Sequence, residues 1–347
     1  MGKNNVMENS TITPILEDII YNKVAQDTNL IDSTELIYDA LHLLLNGDFD
    51  KFVFDKNIIS NTTLFPNTDD SDFQQILSKI NEKQSGRKKM GRFYTPKDVT
   101  EYIVLNTFLN SINYSITNIY SVKNILDQLK KVDENKVEQL LFEFNVFDPS
   151  SGAGEFLVTA LETKLKILEN CILNLNDDII LSILKTIKGN DINETSIEIT
   201  KIRLFFIANS NIQDKTKLKD VATILNKNFY VSDYLGERNL FQNNNLSCKF
   251  PKCHIIVGNP PYVEDRSLEN KPTKRYGNIY ANFLENSADL LEKNGVMGFV
   301  LPLSFVSTPR MSKIRNVLYE KCPKQLIANY ADRPGCLFSG VHQKLNI

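Results

Sequence analysis

Phe147-Asp148-Pro149-Ser150-Ser151-Gly152-Ala153-Gly154-Glu155-Phe156-Leu157 is the stretch on which the fold turns. Residues 140–147 are apolar and aromatic enough for a central strand. Beyond the glycines, Phe156, Leu157, Ala160, Leu161, Leu165 and Leu168 recur with helical period. Strand, glycine turn and helix in this order bring the backbone close to a ligand outside the strand's carboxyl end. A pyrophosphate fits poorly. Leu157 stands where a dinucleotide fingerprint has its third glycine, there is no lysine–hydroxyl pair as in a P-loop, and Asp148 and Glu155 flank the turn. A ligand carrying positive charge suits such a turn.

The same order repeats downstream. Residues 185–188 lead to Gly189-Asn190-Asp191-Ile192-Asn193, and residues 229–232 to Asp233-Tyr234-Leu235. The apolar run 254–258 leads to Asn259-Pro260-Pro261-Tyr262, where two prolines fix two φ angles and remove two backbone donors. Repeated strand, polar end and helix predict an α/β fold with a mostly parallel sheet and helices on both faces. S-adenosylmethionine, with its ammonium and sulfonium, matches the acid-flanked glycine turn. Residues 263–278 read as a polar loop carrying Lys271, Lys274 and Arg275. Residues 279–292 read as a helix with Gly295 as its cap, 296–305 as a strand, 311–319 as a helix, 325–330 as a strand, and 342–347 as the start of another.

On the amino-terminal side, Gly91-Arg92-Phe93-Tyr94-Thr95-Pro96-Lys97-Asp98 resembles a helix start, with Thr95 as N-cap, Pro96 in the first turn and Asp98 completing a capping box. Free N–H groups there can hold a carboxylate. Apolar stripes within 12–46 and a short helix near 73–81, followed by a charged segment ending in Arg87-Lys88-Lys89, predict a small helical domain over 1–90 and a second domain over 91–347.

Of the 347 residues, 42% are hydrophobic and 24% charged, with net charge −2, so any nucleic-acid affinity has to come from local basic segments. No apolar run reaches the roughly 20 residues of a membrane helix, and the start lacks a secretory pattern. The five cysteines are an odd number and fit reduced thiols in a cytoplasmic protein. Cys248, Cys253 and His254 cluster in sequence without a second ligand pair at metal-binding spacing, so they read as a loop entering a buried strand.

Taken together, Gly91–Pro96, Asp148–Leu157, Asp191, Asp233 and Asn259–Tyr262 resemble the N6-adenine DNA methyltransferases of bacterial restriction–modification systems, in the subgroup whose methionine motif precedes its glycine motif. The last segment is identical to the family's N-P-P-Y. The resemblance covers residues 91–347 and implies a Rossmann-like methyltransferase fold using S-adenosylmethionine. It implies that Tyr94, Thr95 and Pro96 hold the methionine carboxylate and that Asp148, Ser150, Gly152, Gly154 and Phe156 surround the amino-acid part. Asp191 with Ile192 would take the ribose, and Asp233 with Tyr234 the adenine. Asn259, Pro260, Pro261 and Tyr262 would be the catalytic residues. Two acceptors, the Asn259 side-chain oxygen and the Pro260 carbonyl, would draw on both N–H protons of a flipped-out adenine, and Tyr262 would stack on its face.

Double-stranded DNA is the implied partner, with Arg87, Lys88, Lys89, Arg92, Lys271, Lys274 and Arg275 as candidate phosphate contacts. The family carries a target-recognition region after the catalytic domain, and residues 1–347 leave no room for one. The expectation is therefore a chain cut short in its last strand, paired with a separate recognition or restriction subunit. Two other readings stay open: a catalytically silent DNA- or subunit-binding module of the same fold, and an amino-methyltransferase acting on RNA or protein.

Overall fold

The computed structural model describes residues 95–113, 121–171, 176–236, 250–265, 276–330 and 344–347. The expected helical domain over 1–90, Tyr94 and all seven candidate phosphate contacts lie outside the described residues.

Five parallel strands form the central sheet: β1 (Val146–Asp148), β2 (Ile187–Asp191), β3 (Phe229–Val231), β4 (Cys253–Gly258) and β5 (Leu291–Phe299), in the order β3-β2-β1-β4-β5. The chain builds outward from β1 to β3, then returns to the other side of β1 for β4 and β5. The strand order therefore switches between β1 and β4, and the crevice outside their carboxyl ends is where such sheets take ligands.

Helices cover both faces. They are α1 (Lys97–Asn113), α2 (Val122–Leu129), α3 (Glu134–Phe142), α4 (Glu155–Cys171), α5 (Asp177–Lys185), α6 (Glu194–Asn211), α7 (Leu218–Asn228), α8 (Tyr280–Leu290), α9 (Ser304–Ser307) and α10 (Ser312–Lys321). Their starts follow from short polar side chains. Asn176 Oδ1 accepts from the Ile179 amide at 3.0 Å, and Asn193 Oδ1 from the Ser196 amide at 2.8 Å. Asp177 and Asp178 add negative charge to the first turn of α5. Two apolar clusters fill the layers on either side of the sheet, and each fully buried Leu, Ile, Val or Phe contributes about 1.5–3 kcal/mol. Helix α1 lies close on β5 because Gly298 has no side chain: a Cβ there would sit 2.7 Å from Ile103 Cγ2 and Thr107 Cγ2.

Five expectations need correction. Residues 140–142 belong to α3, where Val137, Leu140 and Leu141 form one buried helical stripe behind the Asp133 cap; the strand begins only at Val146. Strand β2 starts at Ile187, since Lys185 closes α5. Gly295 is no helix cap. It lies inside β5, where register slips from Cys253↔Leu291 to Ile255↔Val296, and Asn294 takes φ 65° to absorb the extra residues. The strand expected over 296–305 stops at Phe299, resumes as β6 (Leu301–Pro302) and gives way to α9. Strand β8 (Leu345–Asn346) runs antiparallel between β6 and β7 (Asn329–Tyr330), so the strand expected over 325–330 shrinks to its last two residues.

Candidate active site

The turn after β1 is held by groups from β2 and α6. The Asp191 carboxylate accepts from the Gly152 amide through Oδ2 and from the Asn193 amide through Oδ1, both at 2.9 Å. Thr200 Oγ1 donates to the Gly152 carbonyl at 2.9 Å, and Arg203 donates to the Ala153 carbonyl at 2.5 Å. The same guanidinium forks onto Glu155, at 2.7 Å and 3.2 Å, in an almost fully enclosed pair. Gly154 adopts φ +85°, and a Cβ there would meet Thr200 Cγ2 at 2.6 Å. Both positive φ and close approach demand glycine.

Asn190 fastens the strand ends to one another. Its Nδ2 donates to the Pro149 and Ser232 carbonyls, each at 3.1 Å, and its Oδ1 accepts from Ser232 Oγ at 2.7 Å. Asn190, Thr200 and Arg203 had no assigned role in the sequence reading. A readable signal existed for Arg203 alone: a permanent cation amid the apolar positions Ile202, Leu204, Phe205 and Phe206 demands a buried partner.

Asp148 ends β1 inside the switch-point crevice. It is 1% exposed, and its Oδ1 accepts from the Ser150 amide at 2.9 Å. Burial pushes its carboxyl well above the usual range; the Ser150 amide opposes this and the nearby Asp191 charge adds to it. Gly258, at the end of β4, makes room for that carboxylate, since a Cβ there would lie 2.8 Å from Asp148 Oδ1. The next residue is Asn259. The glycine turn and the Asn-Pro-Pro-Tyr segment thus share one crevice.

Asn259 is fixed at both ends of its amide. Nδ2 donates to Thr95 Oγ1 at 3.1 Å, and Oδ1 accepts from the Tyr262 hydroxyl at 2.5 Å. The same hydroxyl lies 3.1 Å from the Val300 carbonyl. Thr95 is buried, and its hydroxyl faces Asn259, in place of the expected capping box; the Asp98 carboxylate accepts from the adjacent Val99 amide. The helix still starts behind Pro96, whose carbonyl accepts from Val99 and Thr100. The Tyr262 ring is partly exposed and meets Tyr280 edge-on at 6.3 Å, while its hydroxyl is held well above the ordinary phenol range by burial.

The remaining candidates divide. Ser150 Oγ and Ser151 Oγ are buried without a protein partner, two hydroxyls available to a ligand in the turn. Ile192 and Val231 are 59% and 48% exposed at the ends of β2 and β3, an apolar rim beside Asp191. Asp233 is exposed and accepts from the Leu235 amide at 3.0 Å. The Tyr234 ring does not face this rim. It packs among Phe147, Phe250 and Phe283, with its hydroxyl 3.3 Å from Ser287 Oγ. Phe156 likewise lies in the core behind the turn. Cys253 is buried in β4, its thiol pushed up to about 12 by desolvation, and the His254 ring stacks on Phe144 at 4.3 Å; Cys248 lies outside the described residues.

Residues 185–334 match the family described as Eco57I restriction-modification methylase, a segment holding Asp191, Asp233 and Asn259–Tyr262. RM.MjaORFECS2P of Methanocaldococcus jannaschii, named for a type II restriction enzyme and methyltransferase, is 28% identical over 167 residues, 40% of this chain and 14% of its own. The type II methyltransferase M.BstVI of Geobacillus stearothermophilus is 22% identical over 210 residues, 58% of this chain and 36% of its own. The chain thus spans well under half of the length of either curated relative. Among solved structures, a DrdV–DNA complex aligns over 96% of this chain and 35% of its own, with 13% identity and TM-score 0.54. A nuclease-deletion mutant of the type ISP restriction-modification enzyme LlaGI aligns over 96% and 33%, with 15% identity and TM-score 0.51. These likenesses show the fold. Residues 185–334 are similar to the methylase segment of the Eco57I family.

Proposed function

We propose that this chain is the catalytic part of a restriction–modification DNA methyltransferase, acting on the N6 amino group of adenine with S-adenosylmethionine as methyl donor. The observation that carries the reading is the shared crevice: the buried Asp148 and the glycine turn on one side, the doubly held Asn259 amide on the other.

The residues fit the donor. Ser150 Oγ and Ser151 Oγ offer unmatched donors, the buried Asp148 carboxylate suits an ammonium, the Asp191 carboxylate at the end of β2 suits ribose hydroxyls, and Ile192 with Val231 offers an apolar rim for a purine. When bound, S-adenosylmethionine supplies an electrophilic methyl on a sulfonium, the S–C bond breaking as the N–C bond forms.

The protein's own part is to make a weak nucleophile available. The lone pair of an aromatic amine is delocalised into its ring. Asn259 Oδ1 and the Pro260 carbonyl, set by a rigid Pro-Pro turn, accept the two N–H protons and favour a pyramidal nitrogen. The nitrogen becomes positively charged as it gains the methyl, and it then releases one proton to solvent. Extrusion of the base costs a few kcal/mol, which stacking on the partly exposed Tyr262 ring would partly return. Arg87, Lys88, Lys89, Arg92, Lys271, Lys274 and Arg275 would supply phosphate contacts on double-stranded DNA, and a separate target-recognition or restriction subunit would be a further partner.

Calorimetric titration with S-adenosylmethionine tests the first half of the reading, with binding expected at one site per chain. Transfer of labelled methyl to mixed-sequence duplex DNA tests the second; binding without transfer would favour the silent-module reading.

A further inference from the structure

One hydroxyl hydrogen on Tyr262 has two acceptors within reach, Asn259 Oδ1 at 2.5 Å and the Val300 carbonyl at 3.1 Å. A phenol donates a single hydrogen, so one of the two is always its principal partner. The position of the Val300 carbonyl does not depend on the phenol, because the Val300 amide donates to the Gly258 carbonyl at 3.2 Å in the β4–β5 ladder. Thr95 holds the far end of the same amide through Nδ2. That bond turns Oδ1, not the amino end, toward Tyr262 and the crevice. The hydroxyl sits part-buried and within direct reach of both acceptors.

From this arrangement we infer that the Tyr262 hydroxyl is a positioning group: it occupies Asn259 Oδ1 while the site is empty of substrate and passes to Val300 when the target amino group arrives. The inference rests on the reading of Asn259 as an acceptor for that amino group. Before substrate, Oδ1 is satisfied by the phenol. Afterwards it is satisfied by the substrate N–H, and the phenol keeps Val300. Neither acceptor is orphaned in either state, an outcome that a single acceptor for the phenol would not allow. Tyr262 therefore acts twice, through its ring on the base and through its oxygen on Asn259.

The consequence is a particular split in the kinetics. In Tyr262→Phe the ring remains but the competitor for Oδ1 is gone, so the target amino group binds more readily while the amide loses its tether to the phenol. On mixed-sequence duplex DNA, kcat is expected to fall roughly tenfold, the size of one buried hydrogen bond, with KM for DNA falling as well. A substitution that merely loosens the fold would instead raise KM, and a ring-only role would leave both constants unchanged; either result overturns the inference. Thermal melting of Tyr262→Phe close to the unmodified protein confirms that the kinetics report on the site. If the unmodified protein binds S-adenosylmethionine but methylates no DNA, the functional reading fails and this inference falls with it. If the unmodified protein is active and Tyr262→Phe matches it, the inference fails alone.

Discussion

Asn259 Nδ2 lies 3.1 Å from Thr95 Oγ1, joining a residue two positions before the first described helix to the end of β4. The two belong to segments that the sequence resemblance assigns to different tasks, the methionine carboxylate and the target amine. Their bond makes the tasks interdependent. Thr95→Val should therefore lower both S-adenosylmethionine affinity and methyl transfer, whereas Thr95→Ser, which keeps the oxygen, should preserve both. Isothermal titration alongside a transfer assay checks the pair; a Thr95→Val protein with normal transfer would break the link.

Asn259→Ala should cost more in rate than in binding. Removing one preorganised polar group at a site of developing charge typically lowers kcat by about 10²–10³. Asn259 reaches the cofactor's side only through its bond to Thr95, so affinity for S-adenosylmethionine should fall far less than the rate. A loss of cofactor binding as large as the loss of rate would mean that the amide acts on the donor and not on the acceptor.

Much of this site was legible because its parts sit at strand ends, and strand ends announce themselves. Asp148, Asp233 and Asn259 each come at the end of a short, mainly apolar stretch, whereas Asp191 follows the more polar Ile187-Lys188-Gly189-Asn190. What could not be read is which ends face each other. The closeness of Val300 to Tyr262 depends on β4–β5 pairing, which shifts register across a bulge at 292–295 whose glycine looks like a helix cap in sequence. Leu140 and Leu141 misled for another reason. A short apolar run does not distinguish strand from buried helix, and the deciding mark was the Asp133 cap several residues earlier. Tyr234 shows the opposite limit: proximity to Asp233 in sequence says nothing about which layer its ring enters.

Asp148 should make the free protein less stable as pH rises. Its folded carboxyl holds a proton to higher pH than the unfolded one, chiefly through burial. Between the ordinary aspartate range and that raised value the folded state carries more protons than the unfolded chain, so stability falls with increasing pH. Asp148→Asn should melt higher than the unmodified protein at neutral pH and flatten that slope, while binding S-adenosylmethionine more weakly. Melting curves from acidic to mildly alkaline pH decide it; an unchanged slope would place the penalty elsewhere.

Arg203 should matter for folding as much as for the site. It is 2% exposed and satisfies Ala153 and Glu155 together, so Arg203→Met leaves the Glu155 carboxylate without its guanidinium partner. Breaking a buried pair from one side costs about 3–5 kcal/mol. Urea denaturation should show a loss of that order, and Gly154→Ala, which needs a left-handed backbone and clashes with Thr200, should also destabilise. Arg203→Met at full stability would show that the guanidinium does not hold the turn.

The most direct test is to incubate the protein with methyl-labelled S-adenosylmethionine and mixed-sequence duplex DNA, digest the DNA to nucleosides and identify the methylated base by mass. The label should appear as N6-methyladenine and be lost in Asn259→Ala. Label on cytosine, label on RNA or protein in place of DNA, or no transfer despite bound S-adenosylmethionine would contradict the account.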